Sequence, residues 1–425
     1  MPGSSYVIMR EYDEEASIAS RGNGFVHLFT LIWMVGVILF DKWFAYISIG
    51  PIYITELLLV TLMIANFWRI TTRDYLLLAV LAFYVIGGLQ RGYVPFFVIK
   101  DISFFYYLLF LRFFPKDFPA KYVDIVIATC FLRLVLLLAS PLVDNSTLYS
   151  FGNKYRDGVV VLFLAGVFCQ RSKTGIIGFA GACFLGFCSY ITDYKALMFA
   201  MFILPVLLIV RHPLAKVMTP KRLVFAVFLF IYVVYSGGAS YLLTTGVDSL
   251  NLLLKATSSA RNYDNGTAIW RAEIWSHALM RLNTPMRFLF GEFPGHNFID
   301  SKYLGIKSFF LQGGDALGIL RSAHNILVQM VMKTGCAGIL FYGYFYFSYS
   351  DKNQTVLNVL KLIALILAMT ADIFEVPSRG PLLFCFFSIL ESGRLRVDRT
   401  SQALSQQLSN SIQTDTLILV KNENQ

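Results

Sequence analysis

The residues of this chain best suited to chemistry are histidines and cations set in its polar connectors. His324 stands at the mouth of a long apolar run, in RSAHNILVQMVMKTG beginning at Arg321. An imidazole with an ordinary pKa of about 6.5 accepts a proton near neutral pH, so His324 reads as a general base. Its plainer reading is a histidine that caps a helix or meets lipid headgroups, and Ser322 is similarly an ordinary N-cap candidate. Arg271, flanked by Trp270 and Trp275 in TAIWRAEIWSHALMRL, offers a planar fork for phosphate oxygens or else stacks on tryptophan. Lys195 in SYITDYKALMFA, Lys154 and Arg156 in SFGNKYRDG, and Arg321 add further positive charge. His296, beside the Pro-Gly turn of GEFPGHN, is a reserve base, and His277 reads as helix surface.

Composition decides what kind of element must position these groups. Of 425 residues, 56% are hydrophobic, 16% aromatic and only 15% charged, against roughly 25% charged in soluble domains. The chain therefore reads as an all-α, polytopic membrane protein. Apolar runs of spanning length recur from Gly24 to Leu390, with Trp and Tyr near their ends. The formal charge of +10 does not indicate nucleic acid, because the basic residues are dispersed between the runs.

About twelve spans are expected, at 24–40, 52–68, 74–90, 97–113, 122–141, 158–170, 175–191, 195–210, 223–242, 325–347, 355–371 and 380–391. A cytoplasmic N-terminal segment, 1–22, carries Glu11, Asp13, Glu14 and Glu15 and lacks the pattern of a cleaved leader, so the first span is the expected insertion signal. That orientation puts Arg69/Arg73, Arg112/Lys116/Lys121, Arg171/Lys173, Arg211/Lys216/Lys221/Arg222 and Arg394/Arg396/Arg399 all in the cytoplasm, as the positive-inside rule requires. Spans one to nine occupy 23–242, a periplasmic loop domain 243–323, and spans ten to twelve 324–391. A polar, Gln/Ser-rich cytoplasmic tail follows at 392–425.

The connector from about Leu243 to Ala323 is far longer than a median connection of roughly 4–6 residues and should form a small external domain. It holds an Asn265-Gly266 turn, an amphipathic helix with Trp270, Ile274 and Ala278 at i, i+4 and i+8, and a second helical piece near Leu304 to Phe310. No internal repeat is visible, which weighs against an inverted-repeat transporter. Charges that fall inside spans include Glu56, Lys100, Asp101 and Arg133. Each costs about 2.5–3.5 kcal/mol at mid-bilayer, so each must face protein or water. Lys100 and Arg133 are expected either to pair with Asp101 or Glu56 or to touch substrate. Cys130, Cys169, Cys183, Cys188, Cys336 and Cys385 match no zinc or disulfide spacing and read as core packing.

One large external loop late in the chain carrying R-x-E-I-W, the FGEFPG turn, and H-N-I-L-V-Q-x-x-x-K-T-G-x-x-G from His324 to Gly338 together resemble the O-antigen ligase and O-antigen polymerase superfamily of bacterial polysaccharide assembly. The likeness covers about 265–345; elsewhere only the order of spans matches. It implies a C-type membrane glycosyltransferase fold in the bacterial inner membrane, with its active site facing the periplasm. It implies a metal-independent, inverting transfer from undecaprenyl-diphosphate-linked oligosaccharide to an acceptor glycan, with no cofactor and with room for a chain-length regulator. In the superfamily a loop arginine and an arginine opening a span clamp the diphosphate, and the histidine of the HN pair deprotonates the acceptor hydroxyl. Those roles fall here on Arg271, on Lys195 and on His324, with Asn325 completing the pair. Lys195 departs from the pattern, since lysine is a point charge rather than a fork, and Arg156 or Arg321 would then supply the fork.

The chemistry is self-consistent. A sugar on a diphosphate already has a good leaving group, so cations for the departing phosphate and one base suffice. No dense acidic cluster stands in the loop, although Asp248, Asp264, Glu273, Glu292, Asp300 and Asp315 are scattered through it. Within the superfamily the reading leans to a repeat-unit polymerase of O-antigen or exopolysaccharide over a ligase acting on lipid A-core. Two other classes stay open: a polyprenyl-phosphate-sugar transferase using Asp41, and a flippase or transporter using Lys100, Asp101 and Arg133.

Overall fold

The structure is a computed structural model that describes residues 24–50, 52–139, 154–171, 278–296, 325–349, 355–368 and 376–392, with 180–181, 184–185, 200–201, 203–206, 229, 232, 275, 299–300, 319–320 and 374 between them. The N-terminal segment, the piece near 304–310, most of the Trp270 helix and the tail from 393 lie outside the described residues.

The described chain is mostly helical. Helix α1 (Gly24–Phe40) and the single turn α2 (Lys42–Ala45) lead to a hairpin, β1 (Ser48–Ile49) with β2 (Ile52–Tyr53), antiparallel with Ile49 opposite Ile52. Helices α3 (Ile54–Ala65) and α4 (Thr72–Gln90) follow. Each opens on a carboxylate that reaches back to the backbone before it: Glu56 accepts from the Tyr53 N–H at 2.9 Å, and Asp74 from the Thr71 N–H at 2.7 Å. Among the described residues, two helices are long and apolar enough to cross a bilayer, α4 and the later α11 (Ile326–Ser348), and shorter apolar helices accompany them.

The sequence at 97–113 reads as one span but folds as three short helices, α5 (Pro95–Asp101), α6 (Ser103–Tyr106) and α7 (Leu109–Phe113). The first break follows Asp101, whose carboxylate is held by Gly295 and Lys333 rather than by its own helix. Helices α8 (Ala120–Ala139) and α9 (Lys154–Arg171) pack together, and the short α10 (Pro285–Phe290) lies against α11. Within the connector 243–323, β3 (Ile299–Asp300) pairs antiparallel with β4 (Ile319–Leu320). Short strand pairs among the described residues thus interrupt an architecture that the periodicity alone reads as purely helical. Helices α12 (Thr355–Ala368) and α13 (Gly380–Glu391) close the bundle.

Helix α11 is the axis of the packing. Every residue from Ile326 to Cys336 is buried, and Tyr342 and Tyr346 stack on one another and against Phe374. Helix α4 is peripheral and leaves Tyr75, Leu76, Phe83, Ile86 and Leu89 exposed. The two run antiparallel: Tyr349, past the end of α11, donates to Asp74 at the start of α4 at 3.0 Å, and Tyr84 donates to Thr334 O.

Candidate functional site

Helix α11 breaks at Gly335, whose backbone adopts φ 65° and ψ −171°. A kink strips carbonyls of their intrahelical partners, and buried carbonyls must be satisfied elsewhere. Here the segment GEFPGH, 291–296, and α4 do so. The Glu292 N–H donates to Met332 O at 2.7 Å, and the Tyr84 hydroxyl donates to Thr334 O at 2.5 Å. The approach is backbone to backbone. A Cβ on Gly291 would lie 2.7 Å from Gly335 N, and one on Gly335 would fall on the Leu289 carbonyl, so both positions require glycine. Phe293, itself at φ 69°, fills the space over Gly87 and is covered by the Arg91 guanidinium at 3.7 Å.

The charged groups of the site hang on this junction. Lys333, 3% exposed at its side chain, donates to Asp101 and, at 2.7 Å, to His296 O. Asp101 also accepts the Gly295 N–H at 2.7 Å. One buried ion pair therefore fixes the loop segment to α5 and α11 at once. Above it, His296 Nε2 lies 3.0 Å from an Arg281 Nη, its ring meets Tyr93 edge-on at 5.6 Å, and it lies 4.0 Å from Glu292. Arg287 approaches Glu292 at 3.5 Å. Burial, then the Glu292 carboxylate, raises the Tyr93 pKa above its usual value, and the nearby Arg91, Arg281 and Arg287 pull it down. Tyr93 thus lies in the field of three arginines and one glutamate, with the His296 ring against its own.

Of the candidate catalytic and substrate-binding residues read from the sequence, His296 and Asn325 lie within the described residues. Asn325 is fully buried and caps α11, its Oδ1 accepting from Leu327 N at 2.9 Å and Val328 N at 3.2 Å. Its Nδ2 has no hydrogen-bond partner among the described residues. His324, Arg271, Lys195 and Arg321 lie outside the described residues, and Arg156 lies in α9 with its side chain outside them.

The charges inside the spans expected from sequence separate into distinct pairs. Lys100 donates to Glu56 at 2.5 Å, with the Tyr106 hydroxyl on the same oxygen at 2.8 Å. Arg133 pairs in two-pronged fashion with Asp157, at 2.9 and 3.2 Å, and not with Asp101 or Glu56 as its position suggested. Asp157 opens α9, which packs on α8, whereas Asp101 is committed to Lys333. Asp41 is buried in the link after α1, at φ 45°.

The sequence reading passed over Arg91, Tyr93, Arg281, Arg287 and Lys333. The signal was available for three of them: Arg91, Arg281 and Arg287 are cations in connectors assigned to the outer face, where few are expected. An open apolar groove lined by Leu76, Ala337, Leu340, Phe341 and Tyr344 lies toward the other end of α4 and α11 and carries no titratable group except the Tyr344 hydroxyl.

No protein-family model matches this chain, and no curated protein matches it. The described residues define a mostly helical protein in which two helices are long and apolar enough to cross a membrane and a loop segment docks on a broken helix.

Proposed function

We propose that the chain is a multi-pass inner-membrane glycosyltransferase, a polymerase of lipid-linked oligosaccharide repeats, whose site faces the periplasm. The observation that carries this reading is the docking of GEFPGH on the KTG break of α11, since these are two of the runs on which the resemblance rests. Segments separated by some forty residues and joined by backbone contact form one site, not two coincidental motifs. The exterior agrees with a lipid surrounding: Trp43, Ile49, Ile64, Phe67 and Trp68 are all at least two-thirds exposed, beyond what a soluble surface tolerates. Non-helical backbone such as 291–296 is tolerated at membrane depth where protein buries it.

In the proposed reaction the acceptor hydroxyl oxygen attacks the anomeric carbon of the donor sugar. The bond from that carbon to the phosphate oxygen breaks, and the lipid diphosphate departs with the electron pair. The hydroxyl proton passes to His324. Arg271 and Lys195, with Arg321 or Arg156, offset the charge that develops on the leaving oxygen. Lys100, Asp101 and Arg133, the groups a transport pathway would need, are instead held by Glu56, Lys333 and Asp157.

Purified protein supplied with an undecaprenyl-diphosphate oligosaccharide should lengthen it without any ion gradient. His324→Ala and Arg271→Ala should abolish elongation at normal protein levels, while Lys195→Arg retains part of it. Elongation that survives His324→Ala and fails with Asp41→Asn would move the chain to the polyprenyl-phosphate transferases. A deletion strain that makes lipid A-core capped with single repeats indicates the polymerase; bare core with accumulated long lipid-linked chains indicates a ligase.

A further inference from the structure

We propose that the apolar groove between α4 and α11 seats an acyl chain of one phospholipid, and that Arg73 at its lip binds that lipid's anionic headgroup. This rests on the membrane placement above and not on the transfer reaction. Helix α11 is buried over most of its length, yet Ala337, Leu340, Phe341 and Tyr344 recur on one face at i, i+3, i+4 and i+7, and the last three stay more than one-third exposed. With the exposed Leu76 of α4 they line an open groove. Its place along the helices assigns it to one leaflet. Ala337 stands eleven residues before Ser348, the end of α11, or about 16 Å at 1.5 Å per residue, and half of a hydrocarbon core of about 30 Å is about 15 Å. The groove therefore lies within the leaflet at the Arg73 end, the cytoplasmic one in the orientation proposed above. The docked segment meets α11 at Met332 and Gly335 and α4 at Gly87 and Gly88, beyond the groove.

Charge decides which lipid fits. Arg73 is exposed and lies one turn before Leu76 on the same face of α4, level with the end of α11, since Tyr349 donates to the neighbouring Asp74. Helical side chains lean toward the N-terminus, so Arg73 reaches away from the groove and toward the bilayer surface, where a headgroup sits. Asp74 is no counter-charge for it, because that carboxylate is committed to Arg112, to Tyr349 and to the Thr71 N–H and hydroxyl. Arg69, in the link before α4, adds a buried Nη1 with no hydrogen-bond partner among the described residues. Arginine forks match phosphate oxygens, and each cation near a membrane surface favours an anionic headgroup by about fivefold. A zwitterionic lipid carries its own ammonium to the same place and gains less.

The test uses full-length protein recovered with the membrane fraction and purified in detergent. It is titrated with phosphatidylglycerol or with phosphatidylethanolamine of the same acyl chains, and bound lipids are counted by native mass spectrometry. Wild type should retain one phosphatidylglycerol in preference to phosphatidylethanolamine. Arg73→Ala, a change at an exposed position, should weaken phosphatidylglycerol by about fivefold and leave phosphatidylethanolamine unchanged, and Arg73→Lys should keep most of the preference. Ala337→Phe, which fills the groove, should lose the retained lipid of either kind. Wild type that retains no lipid or does not distinguish the two overturns the proposal, as does Arg73→Ala that binds both as wild type does. So does undecaprenyl phosphate that displaces the phospholipid one for one, because the groove would then belong to a polyprenyl chain. Protein that stays in solution when membranes are pelleted sinks the membrane placement itself, before any lipid is counted.

Discussion

At the scale of single residues, Asp101 and Lys333 decide whether the loop segment stays docked. Lys333 is 3% exposed and Asp101 18%, so removing either leaves a charge with little water to replace its partner. Breaking a buried pair from one side costs about 3–5 kcal/mol, whereas replacing both partners by apolar groups is often near neutral. Asp101→Leu should therefore destabilise more than Lys333→Met, because it strands the deeper charge and also removes the acceptor for Gly295 N–H. The double variant Asp101→Leu/Lys333→Met should recover part of the loss, as read by thermal unfolding in detergent; strictly additive losses would show that the pair does not act as a unit. Asn325 allows a finer separation. Asn325→Ser keeps an oxygen for Leu327 N and Val328 N, and Asn325→Ala loses the cap at a cost of about 1 kcal/mol. If the buried Nδ2 serves substrate, Asn325→Ser, whose hydroxyl oxygen can still cap the helix and adds no buried charge, should stay close to wild type in thermal unfolding and lose elongation. The sequence marks Asn325 through the HN pair but not its burial as the cap of α11, and it marks Arg281 by its charge but not its contact with His296, fifteen residues on and reached only through the fold around Gly291.

Among elements, the break in α11 is the feature on which the site depends, and glycine at 291 and 335 permits it. Both residues have positive φ and neither has room for a Cβ. Gly335→Ala should pay about 1–2 kcal/mol for the left-handed backbone and must also displace α10, so its yield of folded protein should collapse. Gly24→Ala, where nothing lies within 4 Å, should fold as wild type. Expression and gel filtration in detergent check both; a well-folded Gly335→Ala would mean that α10 does not dock there. Helix α11 was plain in the sequence as a long apolar run, and so were α4 and GEFPG as a helix breaker. Its kink was not, because one glycine in a helical run is compatible with a straight helix. The division of 97–113 was equally hidden, since Asp101 leaves its own helix for partners 194 and 232 residues away.

Across the whole molecule the polar clusters sort to two ends of the antiparallel pair α4 and α11. Arg112 donates to Asp74 at 3.0 Å and to Arg69 O, and Tyr349 joins the same carboxylate; burial and then Asp74 push the Tyr349 pKa well up, so its hydroxyl stays a donor. Arg91, Tyr93, Gly295 and His296 gather at the other end. Charge counting along the sequence puts the first group in the cytoplasm and the second outside, and the structure independently keeps the two groups apart. Connector charge was readable because it is a local property of sequence. Which helices touch was not, because apolar faces pack by shape. The orientation predicts a labelling pattern. Thr284 and Lys116 are both exposed, and they stand beside Arg281 and Arg112 respectively in the chain. In intact spheroplasts a membrane-impermeant maleimide should label Thr284→Cys at once and Lys116→Cys only after permeabilisation, with the wild-type chain and its six cysteines as the background. The reverse pattern would put the Arg281 side in the cytoplasm and overturn the proposed periplasmic orientation.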